Sequence, residues 1–268
     1  MRLKLTTWNV NSVRIRGQSL RRIAEEIDPD VLCLQETKVE DGLFPMALFH
    51  ELGFNHTYIH GQRAYHGVAV LSKLPLEAPR AHKWCNVEDC RHAVVELPGG
   101  IEVHNLYVPA GGDVPDPEVN RKFKHKLDML EALTGFYGAR AGDGKKVILV
   151  GDLNIAPLET DVWSHKQLLG VVSHTPVETE GLKRLQAAYG FVDAMRAIVP
   201  PSERLYTWWS YRNRDWAASD RGRRLDHVWL SPALAPGLRG MEVKREARGW
   251  EQPSDHVPVT VELEVPHP

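Results

Sequence analysis

Polar side chains that can bind a metal ion or a phosphate group follow several apolar segments of the sequence. The clearest case is the apolar segment 147–150, which GDLN follows, so that Asp152 and Asn154 stand two residues apart. In an extended chain, residues at i and i+2 point to the same side, and a carboxylate and an amide then face one small volume. Asp and Asn are also common turn residues after strands, so a plain turn is an equal interpretation of this motif alone.

Similar polar ends recur along the chain and together supply carboxylates, an imidazole, a phenol and amides: Glu36, Asp152, Asp226, Asp255, His256, Tyr107, Asn9 and Asn154. These groups suit the hydrolysis of a phosphate ester, because a phosphodiester needs a cation, a base and hydrogen-bond donors before water can attack it. Oxygen ligands such as Glu36 favour Mg²⁺ or Mn²⁺ over zinc. The sequence contains no GxSxG, Walker or GxGxxG motif, which disfavours covalent catalysis.

Strand-like and helix-like segments that could position these groups alternate along the sequence without a linker rich in Gly, Ser or Pro, which predicts a single domain over 1–268. Periodicity predicts helices at 20–27, 43–52, 118–134 and 182–189. Apolar runs predict strands at 3–8, 31–34, 67–71, 93–97, 101–107, 147–150, 225–230 and 257–263. The short turn at 98–100 favours mixed or antiparallel sheets covered by helices.

The composition is that of an ordinary globular protein, with 43% hydrophobic and 25% charged residues, and it excludes collagen-like and disordered classes. No apolar run reaches the roughly 18 residues of a membrane span and no secretory signal opens the sequence, so we expect a cytoplasmic protein. The 3 cysteines form no CxxC pair, and we expect them to be mostly small buried groups. One His and Cys cluster has none of the common zinc spacings: His82, Cys85, Cys90 and His92.

Basic residues are clustered along the chain although the net charge is only −2. Residues 1–22 contain six basic residues and no acidic residue, 121–126 contain four basic residues, and 204–224 contain six arginines. Attraction to phosphate depends on such local patches rather than on the net charge. Each run taken alone is more often a solvated face than a binding site.

Eight motifs follow one another along the chain: TWNVNS at 7–12, LQETK at 34–38, HGVAVLSK at 66–73, NLYVP at 105–109, GDLNIAP at 151–157, YTWWSYR at 206–212, RRLDHVWLS at 223–231 and SDHVPV at 254–259. In this order they resemble the motifs of the exonuclease III type of apurinic/apyrimidinic endonuclease, within the endonuclease/exonuclease/phosphatase superfamily. The resemblance covers nearly the whole chain and implies an α/β fold, a four-layer sandwich of two mixed β-sheets packed face to face with helices outside. It also implies hydrolysis on the 5′ side of abasic sites in duplex DNA, removal of 3′-blocking groups, and a 3′–5′ exonuclease on double strands.

The same resemblance implies a metal centre made by Glu36, Asn9, Asp152, Asn154, Asp255 and His256. Mg²⁺ is the implied cofactor, with Mn²⁺ as the expected substitute. Glu36 holds the ion with Asn9 beside it, Asp152 acts as the general base or orients the water, and Asn154 fixes that water and the phosphate. Because Mg²⁺ lowers the pKa of a neighbouring carboxylate, polarisation of the water can matter more than the strength of the base.

The resemblance further implies contacts with the phosphate group that is cleaved. His256 is expected to donate a hydrogen bond to a phosphate oxygen, while Asp226 orients its ring. Tyr107 is expected to contact the phosphate or the leaving oxygen. Whether Asp152 or a group linked to His256 accepts the proton is left open by the sequence.

The aromatic segment 206–212, followed by several arginines, offers flat faces for a flipped sugar or an unstacked base. A core strand of large aromatic residues is the alternative interpretation, and we expect Trp208 and Trp209 to be divided between these two roles. The expected DNA contacts are Trp208, Tyr211, Arg212, Lys38 and Tyr65, with Arg14 and the basic run near Lys122 as weaker candidates.

Two positions depart from the pattern of the family. Ala110, followed by Gly111 and Gly112, stands where the best-known relatives have an amide side chain. Arg223 stands where the vertebrate branch has an aromatic residue that lines the abasic pocket. These departures leave open the ratio of abasic-site incision to exonuclease activity, although they do not change the expected type of reaction.

Two other functions remain open at this point: a hydrolase of the same fold acting on a small phosphate ester or phospholipid headgroup, and a non-catalytic DNA-binding protein. The aromatic and arginine-rich segment 206–224 argues against the first, and the complete set of carboxylates argues against the second. We therefore expect a monomeric enzyme of the bacterial cytoplasm and nucleoid. Its expected partner is double-stranded DNA with abasic sites or blocked 3′ ends, and we expect no membrane partner.

Overall fold

The computed structural model describes residues 1–265, whose backbone forms two large β-sheets, one small sheet and several helices. The strands are β1 (Arg2–Asn9), β2 (Val31–Gln35), β3 (His56–His60), β4 (Val68–Ser72), β5 (Glu77–Ala81), β6 (His92–Leu97), β7 (Ile101–Tyr107), β8 (Lys146–Asp152), β9 (Val192–Asp193), β10 (Trp208–Trp209), β11 (Gly222–Arg223), β12 (Asp226–Leu230), β13 (Leu238–Val243) and β14 (Val259–Glu264). The α-helices are α1 (Gly17–Glu26), α2 (Met46–Glu51), α3 (Arg121–Gly138), α4 (His165–Leu168), α5 (Pro176–Tyr189), α6 (Ala194–Ile198) and α7 (Trp216–Ser219).

The first sheet has the strand order β13-β14-β1-β2-β4-β3. β1 is parallel to β2 and antiparallel to β14, so that Leu5 lies beside both Val31 and Val261. β2 and β4 are completely buried, as expected for apolar strands that are covered on both faces. Because β14 runs against β1, the residues that precede β14 lie next to the last residues of β1.

The second sheet has the strand order β5-β6-β7-β8-β12-β9. β6 and β7 form an antiparallel hairpin, and its turn at 98–100 contains two glycines with positive φ angles. β7 is parallel to β8, whereas β12 is antiparallel to β8, with Asp226 opposite Asp152. Both sheets are therefore mixed, as the sequence predicts.

The two sheets pack face to face, and helices cover their outer faces. Alternate side chains of both sheets fill the space between them, among them Leu3, Leu5, Cys33, Val95, Val103 and Ile148. Residues of α1 and α2 pack on the outer face of the first sheet, and residues of α3 and α5 pack on that of the second. The predicted four-layer α/β sandwich is confirmed.

The start of α5 is fixed by side chains next to the second sheet. Pro176 occupies the first turn, where its missing N–H removes no hydrogen bond. The backbone N–H of Thr175 donates to Glu178 Oε2 at 3.2 Å, which is one half of a capping box. The helix ends at Gly190, whose φ of 80° is the left-handed conformation that glycine adopts easily. The helix therefore begins at Pro176, six residues before the predicted range 182–189.

Several elements differ from the sequence predictions. The edge strands β3, β5 and β13 are partly exposed, so they lack the apolar runs by which a strand can be recognised. A helix is predicted over 43–52, but α2 covers only Met46–Glu51 because Pro45 precedes it. The expected burial of the cysteines is wrong for Cys85, which is exposed. Within residues 1–265, the helices are too short or too polar to cross a lipid bilayer.

Candidate active site

Six strand termini meet at one edge of the sandwich. β1, β2, β7 and β8 end at this edge, while β12 begins there and β14 begins close to it, because both are antiparallel to their neighbours. The polar side chains predicted from the sequence are carried by these termini: Asn9, Glu36, Tyr107, Asp152, Asp226 and His256. Since the termini belong to packed sheets, the side chains that they carry are held on rigid elements.

Asn9 joins the carboxylates of the two sheets. Its Nδ2 donates to Glu36 Oε1 and to Asp152 Oδ2, at 2.9 Å in each case. Its Oδ1 accepts a hydrogen bond of 3.0 Å from the backbone N–H of Asn11, which fixes the orientation of the amide. Asn9 is fully buried. In this arrangement Asn9 holds the two carboxylates at a fixed separation.

Glu36 directly follows β2 and has a left-handed backbone conformation, with a φ of 52°. The Tyr107 hydroxyl donates to Glu36 Oε1 at 2.8 Å, and Lys38 Nζ lies 2.8 Å from Oε2. Burial raises the pKa of Glu36, but the Lys38 ammonium and the Asn9 amide outweigh it and hold that pKa below its usual value. Burial and the charge of Glu36 raise the pKa of Tyr107 well above 10, so its phenol stays protonated.

Asp152 and Asn154 form a tight turn at the end of β8. The backbone N–H of Asn154 donates to Asp152 Oδ1 at 2.9 Å, and its Nδ2 donates to Asp152 Oδ2 at 3.1 Å and to the carbonyl of Val108 at 2.9 Å. Gly151 is required by space, because a Cβ there would lie 1.9 Å from the carbonyl oxygen of Leu106. The predicted pairing of a carboxylate and an amide is present in the structure.

His256 contacts carboxylates on both sides of its ring. Its Nδ1 lies 2.8 Å from Asp226 Oδ2, and its Nε2 lies 3.5 Å from Asp152 Oδ2. The Thr207 hydroxyl donates to the same Asp226 oxygen at 2.6 Å, and accepts the backbone N–H groups of Leu225 and Asp226. Asp226 therefore orients the ring of His256, and Thr207 orients Asp226.

The charges of this cluster change the pKa values of its members. Burial raises the pKa of Asp152 to about 7; Asp226 and Glu36 add to this rise, while His256 opposes it. Burial lowers the pKa of His256, but Asp226 and Asp152 outweigh burial and raise that pKa to about 10. A protonated imidazole and a carboxylate that titrates near neutral pH therefore face each other, as a site for acid and base chemistry requires.

Three side chains of the cluster lie close enough to share one metal ion. One ligand atom each from Asp152, Asp226 and His256 lies within 4.8 Å of the others. Asp226 Oδ1 is buried and has no hydrogen-bond partner among residues 1–265. Glu36, which Asn9 links to Asp152, adds further carboxylate oxygens. This oxygen-rich set fits a hard divalent cation. The sequence assigns Asp226 only to the orientation of His256, whereas the structure also places its unpaired oxygen in the cluster.

Asp255 lies beside this cluster and orients its neighbours. Its Oδ1 accepts a hydrogen bond of 3.2 Å from Asn11, and its Oδ2 accepts one of 2.9 Å from the indole of Trp208. Asn11 in turn accepts a hydrogen bond from Lys38, the partner of Glu36. Both oxygens of Asp255 are thus engaged with protein donors. Its connection to the other predicted ligands runs through Asn11 and Lys38.

An open cleft of about 990 Å³ leads to the cluster. Trp208 faces this cleft, whereas Trp209 is only 2% exposed and belongs to the core, so the two tryptophans divide as expected. The guanidinium carbon of Arg223 lies 5.3 Å from the ring centre of Trp208, and that of Arg221 lies 4.7 Å from that of Trp163. One wall of the cleft is therefore both flat and cationic.

The other predicted DNA contacts differ in how far they are open to solvent. Tyr211 is 46% exposed, and its hydroxyl accepts a hydrogen bond of 3.1 Å from Arg16. Arg212 lines the cleft, and Tyr65 is 67% exposed. Lys38 is bound to Glu36 and Asn11. Tyr211, Arg212 and Tyr65 are thus open to a ligand, whereas Lys38 is engaged inside the protein.

Sequence reasoning missed several residues that support the site. Thr207 lies within the motif YTWWSYR, where attention to its place next to Trp208 could have revealed it. Arg91 is buried, with its guanidinium carbon 4.8 Å from the ring centre of Tyr107. Lys126 is fully buried beside the turn of Asn154. No local signal distinguishes these two basic residues from exposed ones.

An α/β sandwich with carboxylates, amides and a protonated imidazole at the edge of its sheets defines a hydrolase of phosphate esters. The chain belongs to the endonuclease/exonuclease/phosphatase family, whose profile matches residues 6–256. It is 30% identical to exodeoxyribonuclease III of Haemophilus influenzae, over 97% of this chain and 100% of that protein. Together with the solved structures below, these matches confirm the predicted family and support the predicted nuclease.

Two solved structures resemble the whole chain closely. An AP endonuclease from Archaeoglobus fulgidus superposes with a TM-score of 0.90 at 32% identity, over 98% of this chain and 100% of that one. The 3′ phosphatase NExo from Neisseria, bound to a product DNA hairpin, superposes with a TM-score of 0.88 at 32% identity, over 98% of this chain and 99% of that one. Similarity of this extent agrees with the topology described above.

Proposed function

We propose that this protein is a metal-dependent DNA repair nuclease that hydrolyses phosphodiesters of duplex DNA at abasic sites and at blocked 3′ ends. The observation that carries this proposal is the network in which Asn9 binds Glu36 and Asp152 while Asp226 Oδ2 lies 2.8 Å from Nδ1 of His256. The network opens into a cleft walled by aromatic rings and guanidinium groups. The names of the relatives, an exodeoxyribonuclease, an AP endonuclease and a 3′ phosphatase, support the choice of DNA as substrate.

The proposed cofactor is Mg²⁺, with Mn²⁺ as a substitute. Glu36 and Asp152 are the proposed principal ligands, with Asp226, Asn154 and His256 around them, because hard cations take carboxylate oxygens first. When bound, such an ion neutralises phosphate oxygens and lowers the pKa of water. Lys38 now lies 2.8 Å from Glu36 and supplies the positive charge at that carboxylate.

The side chains of the cluster can carry the remaining steps of an in-line hydrolysis. Asp152 accepts a proton from the attacking water, and Asn154 orients that water through its side-chain amide. His256 donates its Nε2 proton as a hydrogen bond to a phosphate oxygen, where negative charge grows. The new P–O bond forms as the bond to the 3′ oxygen breaks. The Tyr107 hydroxyl donates a hydrogen bond to the departing oxygen, which takes its proton from solvent, while Asp152 returns the proton of the attacking water to solvent. Cleavage beside an abasic site leaves a 3′ hydroxyl and a 5′ phosphate, and a 3′ phosphate end gives a 3′ hydroxyl and inorganic phosphate.

The cleft supports a nucleic-acid substrate over a small ester. Trp208 and Trp163 offer faces for a sugar or a base, and Arg212, Arg221 and Arg223 offer charge to the backbone. Attraction to the many phosphates of a duplex depends on such clusters of cations. We propose that the enzyme acts as a monomer on double-stranded DNA, in the nucleoid of a bacterial cytoplasm.

A nicking assay tests this function. The purified protein is incubated with Mg²⁺ and a duplex that carries a tetrahydrofuran abasic analogue, and a second duplex carries a 3′ phosphate. We expect both to be processed, and we expect Asp152→Asn to abolish both reactions while it still binds DNA. Absence of any Mg²⁺-dependent cleavage by the unaltered protein would refute the proposal. Faster hydrolysis of an inositol phosphate than of either duplex would favour the small-ester alternative.

A further inference from the structure

A lysine and a glutamate lie fully buried behind the cleft, outside the catalytic cluster. The side chains of Lys126, on α3, and Glu178, on α5, are both 0% exposed, and their charged groups are 2.5 Å apart. Removing two charges from water is costly, and an ion pair of this kind often contributes no more stability than apolar residues of the same size. Its presence therefore calls for a role other than the stability of the core.

The ammonium group of Lys126 holds two loops that line the cleft. It donates to the carbonyl oxygen of Asn154 at 2.8 Å and to that of Ala110 at 3.2 Å. With Glu178 as the third acceptor, all its protons are used. The stem of Lys126 also packs under Gly111, where an added Cβ would lie 3.1 Å from its Cδ. The turns after β7 and β8 are thus tied to one buried charge.

The hydrogen bond from Lys126 reaches Asn154, a residue with an unusual backbone conformation. Asn154 has a φ of 54°, which is less stable for residues other than glycine. Its side-chain amide donates to Asp152 in this conformation, and Lys126 binds the carbonyl oxygen of the same residue. The position of the amide beside Asp152 therefore depends on Lys126.

Glu178 extends the connection to the cationic wall of the cleft. Both of its oxygens accept the backbone N–H of Ser173 at 2.9 Å, and Ser173 has a φ of 86°. The hydroxyl of Ser173 accepts a hydrogen bond of 2.7 Å from Arg223, the residue stacked on Trp208. One buried ion pair thus reaches both the turn of Asn154 and the wall formed by Arg223.

We propose that Lys126 and Glu178 are positioning residues of the nuclease, which hold the Asn154 amide beside Asp152 and Arg223 against Trp208. The inference rests on the proposed function, because it assigns the pair to that reaction. Neither residue touches the reacting atoms. Since displacement of a catalytic group by about 1 Å can lower a rate about 100-fold, loss of the pair should act on turnover more than on stability.

The decisive variant is Lys126→Met combined with Glu178→Gln, which removes both charges and nearly preserves side-chain volume. We expect a folded protein whose kcat on abasic duplex is lower by at least about tenfold, with a smaller change in KM. Lys126→Gln with Glu178→Gln restores one donor and should retain more activity than the Met variant. The matched control is Glu102→Gln, which alters another buried, paired carboxylate at the far end of β7 and should leave kcat unchanged.

Two comparisons separate positioning from a general structural effect. In an Asn154→Ala background, the double change Lys126→Met and Glu178→Gln should lower kcat by less than about twofold, because the effects of residues that act through the same group do not add. An unchanged kcat in the pair variant, or a full additional loss in the Asn154→Ala background, overturns the inference. If the variant with Lys126→Met does not fold, the variant with Lys126→Gln and Glu178→Gln replaces it in both comparisons, and the same criteria apply.

A measurement without substrate keeps this inference distinct from the proposed function. In NMR spectra of the unaltered protein, the side-chain amide of Asn154 should give two sharp, separate signals. These signals should move towards the chemical shifts of a solvent-exposed asparagine amide in the pair variant and stay unchanged in Glu102→Gln. Absence of nuclease activity in the unaltered protein refutes the proposed function, whereas an unchanged Asn154 amide in the pair variant refutes the positioning role.

Discussion

Replacement of Asp226 by Asn tests whether His256 acts as a cation in this site. Asp226 is fully buried, and its Oδ2 lies 2.8 Å from His256 Nδ1. Its charge is the main reason why the pKa of His256 is raised to about 10 although burial lowers it. An Asn side chain keeps the volume and can still accept the Thr207 hydroxyl, but it removes the charge.

The size of the effect follows from the pKa values. A rise of the His256 pKa from 6.5 to about 10 corresponds to about 5 kcal/mol at 1.36 kcal/mol per unit. The charge of Asp226 is the largest contribution that raises this pKa, so its removal should lower the pKa of His256 well below about 10. Loss of a charged donor to the transition state lowers kcat by about 100-fold or more. The variant should therefore lose its activity at a lower pH than the unaltered protein does.

The assay is kcat on abasic duplex from pH 6 to pH 10, together with an NMR titration of the His256 ring without metal. Thr207→Val is the control, because it removes a hydrogen bond to Asp226 and leaves the charge in place. Its alkaline limb should stay near that of the unaltered protein. If Asp226→Asn, assayed at saturating metal, shows the same alkaline limb as the unaltered protein, His256 does not act through its charge.

Three further predictions concern the base, the cleft wall and acid stability. At limiting metal concentration, the acid limb of kcat/KM should lie near pH 7, because the pKa of Asp152 is about 7. At saturating metal this limb should move to lower pH, because a bound cation stabilises the ionised carboxylate. Arg223→Met keeps a side chain of similar bulk beside Trp208 but removes the charge. In steady-state kinetics, we expect the KM for abasic duplex to rise about tenfold, while kcat stays within about threefold of its value in the unaltered protein. Burial lowers the pKa values of His104 and His227 to about 4. As the pH falls, these histidines therefore bind protons in the unfolded chain at a higher pH than in the folded protein. The free energy of unfolding, measured in urea, should fall between pH 6.5 and pH 4 by about 3 kcal/mol for each histidine.

Each of these predictions has a result that would contradict it. An acid limb that does not depend on metal concentration would remove Asp152 from the proton transfer. A selective loss of kcat in Arg223→Met would place the guanidinium at the reacting atoms instead of in substrate binding. A urea midpoint that is constant between pH 6.5 and 4 would show that the two buried histidines do not control acid stability.

The residue types at the site could be predicted from the sequence because each follows or precedes an apolar strand. The contact between Asp152 and Asn154 is local, because the two residues are two positions apart, although the left-handed backbone of Asn154 differs from the extended chain assumed from the sequence. The cluster of Asp152, Asp226 and His256 is different in kind, because the antiparallel register of β12 on β8 places Asp226 opposite Asp152, and the packing of the two sheets brings His256 to both. Strand register and sheet packing are properties of the whole fold. They could be predicted only from the family resemblance and not from the spacing of residues in the sequence.

The supporting residues could not be predicted, because their role depends on burial. Lys126 lies in the basic run 121–126, which is read from the sequence as a surface or a weak phosphate contact. Its side chain is 0% exposed, and its partner Glu178 lies on another helix. The periodicity of α3 cannot identify a buried lysine, since the apolar stem of lysine packs like a core residue and its charge is satisfied only by distant groups.

The central place of β1 has a consequence for the synthesis of the protein. β1 is paired with β14, and Ser254 donates a hydrogen bond of 2.7 Å to the carbonyl oxygen of Asn9. A chain still attached to the ribosome and complete only to residue 250 has neither this bond nor the imidazole of His256. With the proposed role of His256, such a chain cannot hydrolyse DNA, and we expect activity only after β14 has paired with β1.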